Sequence, residues 1–139
     1  MATRTVVGSG QYTYEVDKHW GRRDGAIDSF GLVSGVACDS RDRVYLFTRL
    51  PDPRVSVFDR SGKLVHEWGQ GAFKHPHGIW INSRDELFLT DRDTHLVTQW
   101  TADGKLLRSW GTPNQPGAPG APFNQPTHAF VTSDGEMYV

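Results

Sequence analysis

The sequence predicts an all-β fold made of repeated antiparallel units, and two observations support this prediction. Three pairs of segments align without a gap, at shifts of 43, 42 and 50 residues. The pairs are residues 34–47 with 77–90, 59–69 with 101–111, and 73–89 with 123–139. No stretch of useful length shows the apolar period of a helix. A repeat of about 40–50 residues is typical of the blades of a β-propeller.

The strands of one repeat can be placed by local sequence in the second unit. A short apolar run suits an inner strand buried on both faces, and three further apolar runs follow it, separated by polar turns. Gly104, in an Asp-Gly turn, is available for a positive φ. Four short antiparallel strands joined by tight turns describe one four-stranded blade. The predicted strands are residues 78–81, 87–89, 96–100 and 106–110.

About two and a half such blades account for the chain. Residues 12–21 alternate like a strand and end in the Trp-Gly that closes the later units, which predicts an outer strand. The Pro/Gly-rich residues 111–122 predict an inserted surface loop. The predicted divisions are a lead-in at residues 1–29, blades at 30–72 and 73–122, and a truncated blade at 123–139.

A propeller ring usually needs four to eight blades. We therefore expect this chain to be a fragment of a larger propeller, or to close by self-association. The strand that reaches Val139 would present an open edge. Since unpaired strand edges pair readily with other chains, we expect self-association there.

Composition excludes several classes of function. The 15 basic and 16 acidic side chains give a formal charge of −1 and form no long runs, so neither nucleic acid nor a membrane surface is an expected partner. The single cysteine, Cys38, excludes an internal disulfide and is expected to be a buried apolar residue. No secretory signal or membrane-spanning stretch is evident, which predicts a cytoplasmic protein.

His77 and Arg49 are the candidate site residues. Inner strands of a propeller line a central channel, so equivalent positions on successive blades face one another. The His77 position holds Ser34 in the preceding unit and Thr127 in the following one. His77 could bind a metal or could be a turn residue that bonds a backbone carbonyl. Arg49 follows a predicted strand, where its guanidinium could hold a carboxylate.

Three neighbouring features are interpreted structurally. His75 forms an H-x-H pair with His77, but it has no place in the repeat and is expected at the surface. His128 could reach the channel mouth or cap a loop, and the loop is favoured. The acidic turn at residues 91–95 lacks the glycine and distal glutamate of a calcium loop, so its aspartates are expected to satisfy backbone N–H groups.

The repeats resemble NHL-repeat propellers, and more narrowly the peptidyl-α-hydroxyglycine α-amidating lyase group and its bacterial relatives. "HPHGIW", "LFLTDRDTH" and "QPTHA" carry the narrower resemblance, which runs from about residue 32 to residue 139. It implies a six-bladed parent that uses zinc to cleave a carbinolamide, releasing a peptide amide and glyoxylate. A small-molecule or peptidyl substrate is therefore expected.

The resemblance also implies residue roles. His77 matches the first of three zinc histidines, and Arg49 matches an arginine that binds the substrate carboxylate. Val36 and Ile79 match residues whose backbone carbonyls hold a structural calcium. His128 departs from the family, since the animal lyases carry aspartate there. The other zinc histidines and the tyrosine proposed as base have no counterpart here, so this segment alone is expected to be inactive.

Two alternatives stay open. An NHL propeller can be a non-catalytic scaffold for protein or ligand binding, with His77 only a turn residue. A lactonase-type propeller hydrolase would need acidic metal ligands, and the sequence places none. Two further histidines in the Pro-His position and a tyrosine in the turn of the third blade would favour the lyase over the scaffold.

Overall fold

The computed structural model describes residues 4–21, 30–118 and 122–139, and its regular structure in these ranges is all β. Twelve strands follow one another along the described chain. They are β1 (Val6–Ser9), β2 (Tyr12–Glu15), β3 (Val33–Cys38), β4 (Val44–Thr48), β5 (Arg54–Phe58), β6 (Leu64–Trp68), β7 (Pro76–Ile81), β8 (Leu87–Asp91), β9 (Leu96–Trp100), β10 (Leu106–Trp110), β11 (Phe130–Val131) and β12 (Met137–Tyr138).

Two complete sheets form the centre of the molecule. Each has four antiparallel strands in sequential order, β3-β4-β5-β6 in the first and β7-β8-β9-β10 in the second. All four strands predicted for the second unit are present, with the inner strand starting two residues earlier than expected. Gly104 has a φ of 90°, which confirms the predicted turn. We call these sheets blade 1 and blade 2.

Two tight turns of blade 1 share the same chemistry. In the turn before β4, Asp39 accepts hydrogen bonds from the backbone N–H groups of Arg41 and Arg43. In the turn before β6, Asp59 does the same for Ser61 and Lys63. Aspartate at the start of a turn mimics a backbone acceptor, so the repeated Asp-x-x-x-Arg/Lys spacing fixes the hairpins locally.

The core lies between the two blades. Tyr45 and Phe47 of blade 1 are fully buried, and they pack in one cluster with Leu87 and Leu89 of blade 2. Phe73, in the connection between the blades, contacts Phe47 edge-on, with ring centroids 4.9 Å apart. Burial of this apolar surface is the main force that holds one blade against the next.

The third unit contributes only β11 and β12, a two-stranded sheet. It is joined to blade 2 by an edge-to-face contact between Trp80 and Phe130, with centroids 5.2 Å apart. The described part of the predicted loop, residues 111–118 and 122, is mostly exposed. The division of the chain into blade ranges stays a prediction.

The N-terminal segment differs from the expected lone outer strand. Only Tyr12–Glu15 of that region is a strand, and it pairs with β1 in a separate hairpin that the sequence did not predict. Trp20 then packs on Phe58, and its indole N–H donates to the Arg60 carbonyl. Residues 22–29 of the predicted lead-in lie outside the described residues. Cys38, expected to be buried, is exposed because it ends β3 at the rim of the sheet.

Within the described ranges, no helix has the length and apolar character needed to cross a bilayer.

Candidate functional site

A β-bulge places His77 at the start of the inner strand of blade 2. In the pairing of β7 with β8, Pro76 lies opposite Asp91 and Gly78 lies opposite Thr90, which leaves His77 as the extra residue. The same irregularity occurs in blade 1, where Ser34 is the extra residue of β3. Bulges next to functional sites re-aim a side chain out of the regular alternation. The bulge is therefore a property of the repeat, while the side chain on it varies.

The two bulged side chains find different partners. Ser34 Oγ donates to the Phe47 carbonyl at 2.9 Å, inside its own sheet. His77 Nδ1 lies 2.9 Å from the carbonyl oxygen of Thr127, in the next unit. A carbonyl only accepts hydrogen bonds, so Nδ1 carries the proton of the neutral ring. Its Nε2 then holds a lone pair and makes no hydrogen bond within the described part of the chain.

This arrangement agrees with both interpretations of His77. The bond to a backbone carbonyl is what a structural turn residue would make. It is also how metal-ligating histidines are usually held, with one ring N–H on a carbonyl and the other nitrogen unprotonated. His77 thus fits one position of a zinc site, which needs three protein ligands. Among the described residues, no three His, Cys, Asp or Glu side chains converge as a metal site.

Arg49 lies beside His77. Its Nε donates a hydrogen bond to the Pro76 carbonyl at 2.6 Å. This bond fixes the Arg49 guanidinium next to Pro76, the residue that precedes His77. The side chain is half-buried, and in the described residues this is the only hydrogen bond it makes. The two terminal nitrogens are the donors with which arginine grips a carboxylate. The structure therefore brings the two predicted site residues together, with Arg49 just after the end of β4 and His77 near the start of β7.

Charged side chains of both signs lie around the same two residues. Burial lowers the pKa of His75, and the nearby charges of Arg49 and Arg92 lower it further, against the opposing effect of Asp93. The His75 side chain is 26% exposed, so it lies partly buried at the surface. Arg92 is paired with Asp93, with Nε 2.8 Å from Oδ1, whereas Arg49 has no carboxylate partner among the described residues.

Asp91 fixes the chain that leads into the bulge. Its carboxylate accepts backbone N–H groups from Lys74 and His75 on one side, and from Asp93 and Thr94 on the other. The carboxylate is buried, so its bonds to the backbone set where the strand begins. Asp91 therefore satisfies backbone N–H groups, as the sequence predicted, whereas Asp93 pairs with the Arg92 side chain.

A second set of contacts was not predicted from the sequence. The Thr90 hydroxyl, fully buried, accepts the Gly78 N–H at 2.7 Å and lies 3.0 Å from the Thr127 carbonyl. His128 packs over Gly78, with its Nδ1 2.7 Å from the point where a β-carbon on that glycine would lie. The repeat alignment held a signal for these contacts. Thr90 is a polar residue at the position where blade 1 has the apolar Phe47.

Val36 and Ile79 lie at equivalent points of β3 and β7, opposite Leu46 and Leu89 respectively. The two strands are neighbours, since a β-carbon on Gly35 would lie 3.4 Å from the Ile79 nitrogen. Val36 is 60% exposed and Ile79 is buried. Two carbonyls alone are too few for calcium, which takes six to eight oxygens. The calcium assignment stays a prediction.

Solved structures define the fold. A streptogramin B lyase superposes with a TM-score of 0.56 and 14% identity, over 91% of this chain and 37% of that one. A catalytically inactive virginiamycin B lyase from Staphylococcus aureus, solved with quinupristin, gives 0.55 and 17%, over 91% and 36%. The all-β chain, with its four-stranded antiparallel blades, therefore matches about a third of a propeller lyase, which confirms the predicted fold class.

Sequence relatives are more specific. Peptidyl-alpha-hydroxyglycine alpha-amidating lyase 1 of Drosophila melanogaster is 34% identical over 82 residues, which are 57% of this chain and 15% of the relative. The probable lyase pgal-1 of Caenorhabditis elegans is 31% identical over 86 residues, 61% of this chain and 25% of the relative. The peptidylglycine alpha-amidating monooxygenase of Rattus norvegicus is 26% identical over 159 aligned positions, 94% of this chain and 16% of the relative.

The chain is a distant homologue of the peptidyl-α-hydroxyglycine α-amidating lyases, as the resemblance implied. It spans a quarter or less of the length of these curated relatives. No protein-family model matches the sequence.

Proposed function

We propose that this chain supplies two functional groups to a lyase of the amidating type. Arg49 binds the carboxylate of a peptidyl or small-molecule α-hydroxyglycine, and His77 is one ligand of a zinc ion. In the complete propeller the reaction cleaves the C–N bond of the carbinolamide and releases an amide and glyoxylate. The catalysis, the metal and the substrate are all part of this proposal.

One observation carries the proposal. The Arg49 guanidinium binds the carbonyl of Pro76, the residue that directly precedes His77. Arg49 of blade 1, which can bind an anion, therefore contacts blade 2 at the residue next to His77, whose imidazole can bind a metal. A carbinolamide whose carboxylate reaches Arg49 would have its hydroxyl-bearing carbon close by, since the two groups are on adjacent carbons.

The chain's own residues would do three things. The guanidinium would neutralise and orient the substrate carboxylate. The bond to Pro76 would keep that group from rotating away, which limits the entropy lost on binding. His77 would present Nε2 while its Nδ1–H stays on Thr127.

Zinc, when bound, would polarise the oxygen of the substrate. A structural calcium held in part by the carbonyls of Val36 and Ile79 belongs to the same proposal.

The test uses a complete propeller that contains this chain, with zinc content and glyoxylate release as separate readouts. His77→Ala should reduce bound zinc to roughly a tenth or less of wild type, with a parallel loss of glyoxylate release. Arg49→Lys keeps the charge but loses the planar fork. A charged hydrogen bond is worth about 1.5–3 kcal/mol, so kcat/KM should fall roughly 10- to 100-fold without loss of zinc.

His66→Ala is the matched control, because His66 lies on the outer strand β6 and, among the described residues, its side chain hydrogen-bonds only the Ala102 carbonyl. It should change neither readout. Undiminished zinc in His77→Ala would contradict the proposal. That result would favour the alternative, a non-catalytic scaffold in which His77 is a turn residue.

A further inference from the structure

We propose that Thr90 is a positioning residue for His77. It acts through the Thr127 carbonyl and holds the imidazole in the tautomer that leaves Nε2 unprotonated. This inference rests on the proposed function for its purpose, since an unprotonated Nε2 is what a metal ligand needs. The structural evidence for the position of Thr90 is a set of three hydrogen bonds.

The Thr90 hydroxyl joins three segments of chain. It accepts the N–H of Gly78, the residue after the bulge, at 2.7 Å. Its own proton can go to the Thr127 carbonyl at 3.0 Å or to the Gly78 carbonyl at 3.3 Å. The shorter contact is the stronger hydrogen bond, so the hydroxyl bridges β7 and β8 of blade 2 to the third unit.

The Thr127 carbonyl is where the two side chains meet. A carbonyl oxygen has two lone pairs and can accept two hydrogen bonds. One comes from Thr90 Oγ1 and the other from His77 Nδ1, at 2.9 Å. A further hydrogen bond holds the same segment to blade 2 two residues away, from the Gln125 N–H to His95 Nδ1 at 3.0 Å. Thr90 is therefore the buried anchor of the group that His77 uses as its acceptor.

Removal of the hydroxyl should release that acceptor. In Thr90→Val the shape is kept, but the Thr127 carbonyl loses its buried donor and the Gly78 N–H loses its acceptor. The Thr127 segment can then shift, and the His77 ring loses its fixed partner. A histidine without such a partner exchanges freely between its two neutral tautomers. Thr90→Ser restores the hydroxyl and should restore the tautomer.

The test is ¹⁵N NMR of the imidazole rings in the metal-free full chain, at alkaline pH where the rings are neutral. Wild type and Thr90→Ser should show His77 protonated on Nδ1. Thr90→Val should raise the share protonated on Nε2 several-fold, from the minor form to the major one. Thr48→Val is the matched control. Thr48 is a buried threonine of β4, and its hydroxyl donates to the Arg54 carbonyl inside blade 1. It should leave the His77 spectrum unchanged.

The outcomes separate this inference from the proposed function. Wild-type His77 protonated on Nε2 would overturn the inference with no variant needed, even if Thr90→Val fails to fold. An unchanged tautomer in folded Thr90→Val would also overturn it, whatever His77→Ala does to the bound zinc. A tautomer that follows the Thr90 hydroxyl supports it, and zinc retained by His77→Ala would then remove only the proposed function.

Discussion

Gly78→Ala tests how closely the third unit packs against blade 2. A β-carbon at this position would lie 2.6 Å from the Thr127 carbonyl oxygen, 2.7 Å from His128 Nδ1 and 2.8 Å from Thr90 Oγ1. All three distances are shorter than real carbon contacts, and two of the neighbours belong to a hydrogen-bonded network. The new methyl group must therefore push the third unit away or break the network.

The cost can be worked out from these contacts. Overpacking in a closed site costs about 1–3 kcal/mol, and a lost hydrogen bond adds about 1 kcal/mol. Replacing glycine also restricts the unfolded chain, which returns about 0.4–1 kcal/mol. We expect the free energy of unfolding to fall by about 1–3.5 kcal/mol. Urea denaturation followed by tryptophan fluorescence measures this as a lower midpoint at unchanged slope.

Gly35→Ala is the matched control, since Gly35 is the residue opposite Phe47 just as Gly78 is opposite Thr90. Its nearest obstacle is the flexible Cγ2 of Ile79 at 2.8 Å, and the next contact is at 3.4 Å. A side-chain methyl group can move where a carbonyl cannot, so we expect a loss of about 1 kcal/mol or less. If Gly78→Ala costs no more than Gly35→Ala, the packing argument is wrong.

Two further predictions concern the interior of the blades. Phe73→Ala removes a buried ring that contacts Phe47, Trp68 and Trp100. The free energy of unfolding, measured with urea, should therefore fall by about 3–5 kcal/mol. A loss below 1 kcal/mol would show that the blades do not depend on this ring. Burial raises the pKa of Asp39, but hydrogen bonds from Arg43, Arg41 and Tyr45 outweigh it and hold the pKa below 3.8. Because the folded pKa is depressed, the stability that Asp39 contributes is present above its unfolded pKa of about 3.9 and is lost as pH falls through the folded pKa. In Asp39→Asn, the urea midpoint should no longer fall with pH in this acidic range. A midpoint that falls as it does in the wild type would contradict the assignment.

The strands were predictable because each depends on local sequence and on the repeat. Gly104 and the turn aspartates fix hairpins over four or five residues, and the apolar runs between them have the length of one strand. The 43-residue shift then predicts that two sheets are alike. The β1–β2 hairpin was missed because residues 6–9 have no counterpart in the repeat and bury little apolar surface.

The candidate site was predictable only in part. His77 and Arg49 were candidates from their places along the chain, and the resemblance implied their roles; the structure brings them to neighbouring positions through the bond from Arg49 to Pro76. Their chemical roles remain predictions. The contribution of Thr90 could not be read from its own neighbourhood, because its partner Thr127 is 37 residues away.

The sequence by itself determined the β character of the chain, its four-stranded units and the order of the strands within them. These follow from alternation, turn chemistry and repetition, all of which act over a few residues. Only the tertiary structure decided which side chains meet across the blades. The tautomer of His77, the anchoring of Arg49 and the closeness of His128 to Gly78 depend on how one rigid sheet packs on the next, and that packing is set by distant residues.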